Sequence, residues 1–127
     1  MKYLGIDYGE RKVGLAISEG QLASPFKVLT VSSLNDALTQ VQQTIKKECI
    51  DMVIIGMPDS GKSRKMANQF STQLSKVVTV SLADENLSTN DAKQALLELG
   101  GSRKSRHRKE DAVAATIILQ NYLNSLQ

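Results

Sequence analysis

Apolar residues recur with two different periods along this chain, and the switching between them lays out an α/β fold. Tyr3-Leu4-Gly5-Ile6-Asp7 and Lys12 to Ser18 are short aliphatic runs separated by Tyr8-Gly9-Glu10-Arg11, which predicts an opening hairpin of two strands. Phe26 to Val31 predicts a third strand, after a loop that ends at Pro25. The period then lengthens. Leu34, Leu38, Val41 and Ile45 share one helical face, and Ser33 followed three residues later by Asp36 forms an N-terminal capping signature. Asp51-Met52-Val53-Ile54-Ile55-Gly56 is nearly unbroken apolar sequence, as expected of a central strand covered on both faces and parallel to the first. Met66, Phe70 and Leu74 predict a second helix, and Val77 to Leu82 a fifth strand. Ser88 with Asp91 caps a third helix carrying Ala92, Ala95, Leu96 and Leu99, which stops at Gly100-Gly101. Ala112, Ala115, Ile118 or Leu119, Tyr122 and Leu126 mark a last helix. The order βββαβαβαα describes a mixed five-stranded sheet flanked by helices, with no repeat or linker.

At 127 residues the chain suffices for one core, so residues 1–127 read as a single domain. Its 41% hydrophobic and 23% charged residues are ordinary for a globular protein and exclude disordered and collagen-like classes. The single cysteine, Cys49, has no internal partner and ends an apolar helical stripe, where burial as a small hydrophobe is expected. No stretch approaches the ~20 apolar residues of a membrane span, and Met1 leads into a strand without a signal-peptide core, so a cytoplasmic location and no membrane partner are expected. The formal charge of +3 is modest, yet Arg103, Lys104, Arg106, Arg108 and Lys109 fall close together. Such clustering points to a polyanion, although exposed loops are often charged without any partner. The run contains no aromatic residue, which argues for contact with phosphates rather than stacking on bases.

Candidate chemistry rests on acids at the ends of apolar runs. Asp7 closes the first strand, Asp84-Glu85 follow the fifth, and Asp111 opens the last helix in this reading. Each alone has a plainer role, as turn former, solvated charge or helix N-terminal residue. Three carboxylates from three segments, however, form a site for hard divalent cations, which take oxygen ligands and complete their shells with substrate phosphates. In two-metal catalysis a carboxylate bridges or flanks two ions. Asp7 suits the bridging role, and Asp111, at the positive end of a helix dipole, the flanking one. Only one of Asp84 and Glu85 can join the cluster, because adjacent strand residues point to opposite faces. His107, one turn before Asp111, could shuttle protons near a leaving group or simply meet phosphate or solvent.

One motif points elsewhere. Gly56-Met57-Pro58-Asp59-Ser60-Gly61-Lys62-Ser63 matches the phosphate-binding pattern G-x-x-x-x-G-K-[ST] between a strand and a helix. Three strands and a helix precede it, only one strand follows, and Pro58 removes an amide from the cradle. A nucleotide-binding core is therefore not expected. Gly56, Met57 and Pro58 should end the central strand, and Gly61-Lys62 form a flexible loop at the same edge as the acids, where Lys62 could touch nucleic acid.

The chain resembles the YqgF type, also called RuvX, of pre-16S rRNA nucleases and Holliday junction resolvases in the ribonuclease H-like superfamily. The resemblance is carried by Leu4-Gly5-Ile6-Asp7-Tyr8-Gly9 with Lys12 to Ser18, Ile55-Gly56-Met57-Pro58, Asp84-Glu85-Asn86-Leu87-Ser88-Thr89, Ser102-Arg103-Lys104, and Asp111 to Ala115 with Ile117 to Leu123. It implies a ribonuclease H-like fold, with Asp7, Glu85 and Asp111 as catalytic residues and ligands of Mg2+ or Mn2+, as two ions. Arg11, Lys12, Lys62, Arg103, Lys104, Arg106, Arg108 and Lys109 become the expected nucleic-acid contacts. Two positions depart from the family pattern: Asn86 stands where arginine is usual, and Asp59 to Ser63 replace a longer, Asn-containing loop. The expected substrate is structured nucleic acid, either precursor 16S rRNA in 5′-end processing or branched DNA at a four-way junction. The chain would act as a monomer or homodimer, and the junction reading requires a dimer with two active sites. A binding module without catalysis would keep the basic run but gain nothing from the acids.

Overall fold

The first strand of the chain lies at the middle of the sheet. In a computed structural model that describes residues 1–58, 61–84 and 103–126, the elements are β1 (Tyr3–Asp7), β2 (Lys12–Ser18), β3 (Ser24–Thr30), α1 (Leu34–Glu48), β4 (Met52–Met57), α2 (Gly61–Leu74), β5 (Thr79–Asp84) and α3 (Arg103–Ser125). The strand order is β3-β2-β1-β4-β5. β1, β2 and β3 pair antiparallel, whereas β1, β4 and β5 pair parallel. The predicted mixed five-stranded sheet is thus observed, with β4 parallel to β1 and inside the sheet.

Strand alternation divides the core in two. Leu4, Ile6, Tyr8, Val13, Leu15, Val53 and Ile55 face α1 and α2, meeting Ala37, Val41, Ala67, Phe70 and Leu74. Ala16 and Ile54 face the other way, against Ala115, Ile118, Leu119 and Leu123 of α3. Burial on both sides explains why β4 reads as continuous apolar sequence. Ser33 caps α1 by accepting the Asp36 N–H at 3.1 Å. The Asp36 carboxylate returns to the Ser32 N–H at 2.8 Å, a bond that holds its pKa below the usual carboxylate range. Gly9 is required by its turn, since a Cβ there would stand 2.6 Å from the Lys12 carbonyl oxygen.

Several expectations change. β3 begins at Ser24 and includes Pro25, rather than starting at Phe26. It is an edge strand whose register with β2 shifts at Leu15/Ala16, a setting in which proline's missing N–H costs no ladder bond. β5 starts at Thr79, because the Val77 N–H bonds the Leu74 carbonyl in the turn that ends α2. Cys49 is exposed, not buried: it is the C-cap of α1, in the left-handed conformation with φ 56°, where the chain turns away from the helix's apolar face. Gly61 and Lys62 open α2 instead of forming a loop. The basic run belongs to α3, which starts at Arg103, so Asp111 lies more than two turns inside the helix rather than in its first turn. The helix predicted from Ser88 to Leu99 lies outside the described residues.

Candidate active site

Asp7 is the last residue of β1, where it pairs with Gly14 of β2. Because β1, β4 and β5 run parallel, their carboxyl ends open on one edge of the sheet, the edge at which open α/β sheets commonly bind ligands. Asp7 is half-buried there.

Alternation places Tyr3, Gly5 and Asp7 on the face covered by α3. The Tyr3 and Tyr122 rings lie 6.3 Å apart. Further along β1, a Cβ built on Gly5 would fall 2.7 Å from Leu119 Cβ and 2.9 Å from the Ala115 carbonyl oxygen. Advancing along β1 therefore moves backwards along α3, and the two elements run antiparallel. Two strand residues and four helix residues each cover about 6 Å. The next step, from Gly5 to Asp7, accordingly leads to the turn before Ala115, which contains Asp111 and Ala112. Position 111 is thus brought alongside the end of β1, four residues before Ala115, whose carbonyl oxygen is the helix backbone atom nearest Gly5.

Tyr8 holds the strand end from the opposite side. It is buried and stacks on Phe70 at 4.6 Å with an interplanar angle of 27°. Burial, reinforced by the nearby Glu10 carboxylate, raises its phenol pKa above the ordinary value. The chain on either side of Asp7 is thereby fixed, by the helix on one face and the aromatic stack on the other.

Asp84 pairs with Met57 at the end of β5, one residue after Ala83, which packs with the α3 cluster. Met57 belongs to the core under α1 and α2, so position 84 falls on the face away from α3. Glu85 lies outside the described residues. Among the described residues, no group of three or more histidines, cysteines or acids is close enough to hold a metal ion.

The expected cationic residues divide by position. Arg103, Lys104, Arg106, Arg108 and Lys109 all lie on the first two turns of α3, with His107 between them, and the helix has no acid in its first turn. Arg11 is exposed in the β1–β2 turn. Lys62, exposed at the start of α2, stands 3.9 Å from the Glu10 carboxylate across the same edge. In the look-alike phosphate loop, Gly56 and Met57 are the end of β4, and the Pro58 carbonyl accepts a hydrogen bond from the Arg64 guanidinium at 2.9 Å.

Lys12 lines an open cleft of about 710 Å³ beside β3, together with Phe26, Lys27, Val28, Thr30 and Ala112. Sequence reasoning singled out Lys12 but passed over Lys27 and Thr30. The available signal was a lysine in the middle of the strand Ser24–Thr30, where an interior strand would carry an apolar residue.

Comparison with known proteins bears on both fold and chemistry. The family model RuvX, described as Holliday junction resolvase, matches residues 1–125. A protein of Halothermothrix orenii is 36% identical over 133 residues, covering 98% of this chain and 95% of its own. One of Staphylococcus carnosus is 36% identical over 138 residues, covering 99% and 97%. Both bear the name pre-16S rRNA nuclease, given provisionally. Among solved structures, T. thermophilus RuvC in complex with a Holliday junction substrate superposes with a TM-score of 0.67 at 15% identity, covering 99% of this chain and 95% of that one. The fowlpox virus resolvase with its junction DNA gives 0.69 at 11% identity, covering 99% of both chains. At such identities these two establish the fold alone, which is ribonuclease H-like.

Proposed function

The chain belongs to the RuvX family, and from that premise we propose that it is a metal-dependent nuclease hydrolysing phosphodiester bonds in structured nucleic acid, with 5′-end processing of precursor 16S rRNA as its role. The observation that carries this reading is the antiparallel packing of α3 on β1, which sets position 111 beside Asp7 at the carboxyl edge of the parallel strands. A carboxylate on a rigid central strand and a second on a helix pressed against it suit a site that must hold its geometry through each turnover.

Asp7, Glu85 and Asp111 are the proposed ligands. Their donors are hard oxygens, which fit Mg2+ or Mn2+ rather than a thiophilic ion. When bound, such ions supply charge neutralisation at the attacking and leaving oxygens of an in-line displacement. Glu85 is preferred to Asp84 because the register opposite Met57 puts position 84 on the far face of the sheet. Asp111 lies more than two turns inside α3, beyond the first turn over which the helix dipole acts. The cations on the first two turns of α3 would hold phosphates next to the acids. No helix among the described residues is long and apolar enough to cross a membrane, and a cytoplasmic site of action fits a ribosomal RNA substrate.

The second reading is a Holliday junction resolvase, favoured by the description of the matching family model. Cutting a four-way junction symmetrically needs two active sites and hence a stable dimer. The deciding experiment incubates the purified chain with precursor 16S rRNA and with a four-way DNA junction, each with Mg2+, with Mn2+ and with EDTA. Cleavage of the precursor near its mature 5′ end, lost in EDTA and in Asp7→Asn, is the expected result. Junction resolution by a dimer without precursor cleavage would establish the second reading.

A further inference from the structure

One amide side chain ties α3 to the loop between β2 and β3. Gln120 Oε1 accepts the Ala23 N–H at 2.8 Å, and Gln120 Nε2 donates to the Gln21 carbonyl at 2.9 Å and to Asn124 Oδ1 at 3.0 Å. The loop offers a donor at 23 and an acceptor at 21, and an amide, which carries both functions, satisfies the two together. The loop is a firm anchor. The buried Ser18 hydroxyl accepts the Gly20 N–H at 3.2 Å and donates to the Gly20 carbonyl at 3.1 Å, closing the turn on the end of β2. Leu22 is 82% exposed, so the loop is held to α3 through Gln120 and through Ala23, which packs on the α3 cluster.

The place of Gln120 on the helix gives this clamp a use. At 3.6 residues per turn, position 111 lies about 40° to one side of Ala115 and position 120 about 140° to the other. Gln120 therefore holds the flank toward β3, and position 111 lies on the flank toward β1. Turning α3 about its axis would break both loop bonds and swing position 111 across the end of β1. A roll of about 10° moves a side-chain tip ~5–6 Å from the axis by roughly 1 Å. Packing near position 111 opposes such a roll weakly: Ala112 and Ala115 are buried, but neither has a side chain long enough to key against Gly5 or Ala16. Ile118, Leu119 and Leu123 hold the other half of the helix by apolar contacts, which are not directional.

We propose that Gln120 is a positioning residue for the acidic edge: by clamping the β2–β3 loop it fixes the roll of α3, and through it the separation of position 111 from Asp7. The inference rests on the nuclease reading above. It adds to that reading a residue nine positions from 111, about 13–14 Å along the helix axis. Carboxylates that share divalent cations tolerate little displacement, and a misplacement of about 1 Å can cost about a hundredfold in rate.

The test compares the unmutated chain with Gln120→Met, which keeps the length of the side chain and loses both loop bonds, and with Gln120→Glu, which keeps the bond from Ala23 and loses the one to Gln21. Mn2+ affinity is measured by calorimetry without substrate. Turnover and KM are measured over a range of Mn2+ on whichever of precursor 16S rRNA and junction DNA the unmutated chain cuts. Thermal unfolding is the control for folding. In Gln120→Met the Mn2+ dissociation constant should rise several-fold and kcat should fall roughly ten- to a hundredfold, with KM unchanged and part of the rate restored at high Mn2+. Gln120→Glu should fall between the two, and it carries the test if the Met variant does not fold. Asn124→Ala, which spares the loop bonds, and Ser33→Ala, which destabilises the chain at the cap of α1, should leave Mn2+ affinity and kcat as they were. Unchanged Mn2+ affinity and kcat in a folded Gln120 variant would overturn the inference, as would an equal loss in Ser33→Ala. Either result leaves the nuclease reading standing, because the unmutated chain still binds Mn2+ and cuts. An unmutated chain that neither binds Mn2+ nor cuts either substrate sinks both.

Discussion

Gly5 and Ala115 approach so closely that a side chain on Gly5 would stand 2.9 Å from the Ala115 carbonyl oxygen. Only a residue without a Cβ lets α3 lie this low on β1, and the low position is what carries position 111 to the end of the strand. Gly5→Ala must push the helix backbone away, because the opposing atom is a carbonyl oxygen and not the tip of a flexible side chain. The expected cost is about 1–3 kcal/mol of stability. Cleavage should fall further than the loss of folded protein explains, as judged by activity per folded molecule from thermal unfolding and turnover on one preparation.

Asp7→Asn should abolish cleavage while leaving the melting temperature and nucleic-acid affinity nearly unchanged, since asparagine keeps the shape and loses the charge. Glu85→Gln and Asp111→Asn should behave alike, and Asp84→Asn should be milder. Turnover within tenfold of the unmutated chain for Asp7→Asn would remove it from the metal site. A more severe effect at Asp84 than at Glu85 would reverse the choice between them.

Neutralising Arg103, Lys104 and Arg106 together, as glutamines, has a double signature that follows from their place in the first turn of α3. The salt slope of binding should flatten by up to ~0.9 per lost contact on duplex and ~0.7 on single strands. The free protein should at the same time become slightly more stable, because cations at a helix N-terminus oppose its dipole by ~0.3–1 kcal/mol each. Weaker binding combined with a higher melting temperature separates a functional cluster from a solvated one. An unchanged slope would locate the polyanion elsewhere.

Lys62→Ala should leave nucleotide binding as it was, namely absent, because Lys62 lies on α2 facing Glu10. Saturable ATP or GTP binding near micromolar strength, lost in this variant, would mean that the Gly56 to Ser63 sequence acts as a phosphate loop after all. Equilibrium dialysis with labelled nucleotide decides the matter.

Cys49→Gly should raise stability. A left-handed residue with a Cβ costs ~1–2 kcal/mol, and glycine's greater freedom in the unfolded chain returns ~0.5–1 kcal/mol of that, leaving a gain of about 0.5–1 kcal/mol. Denaturant titration of the two proteins measures it, and a loss would show that the thiol makes a contact worth more than the backbone strain.

Strands whose two faces meet different cores were readable in advance: β1 and β2 fall where their apolar runs do, and β4 declares itself central by having no polar face. Errors gathered where the deciding force is not local. Pro25 looked like a loop residue because proline breaks interior strands, yet at an edge with a register shift the objection disappears. The basic run looked like a loop because charge is cheap in solvent, and no pattern rule marks a helix that continues two turns past its apolar stripe. Cys49 continues the i+4 spacing of Val41 and Ile45, but it is the residue at which the helix ends, and it is exposed there. Of the candidate site, the acids at chain ends could be read from position alone. The neighbourhood of Asp7 and position 111 could not, because it depends on the depth at which α3 sits above Gly5.

The central place of β1 also sets an order of events during synthesis. β1 can pair with β2 as soon as both are made, but its other edge waits for residues 52–57, and one of its faces waits for α3. Until that helix arrives, a strand with an open face and an open edge is exposed to pairing with other chains. The same wait keeps Asp7 apart from Asp111 in every nascent chain. The site proposed at this edge therefore cannot assemble before residues 103–125 have packed on β1.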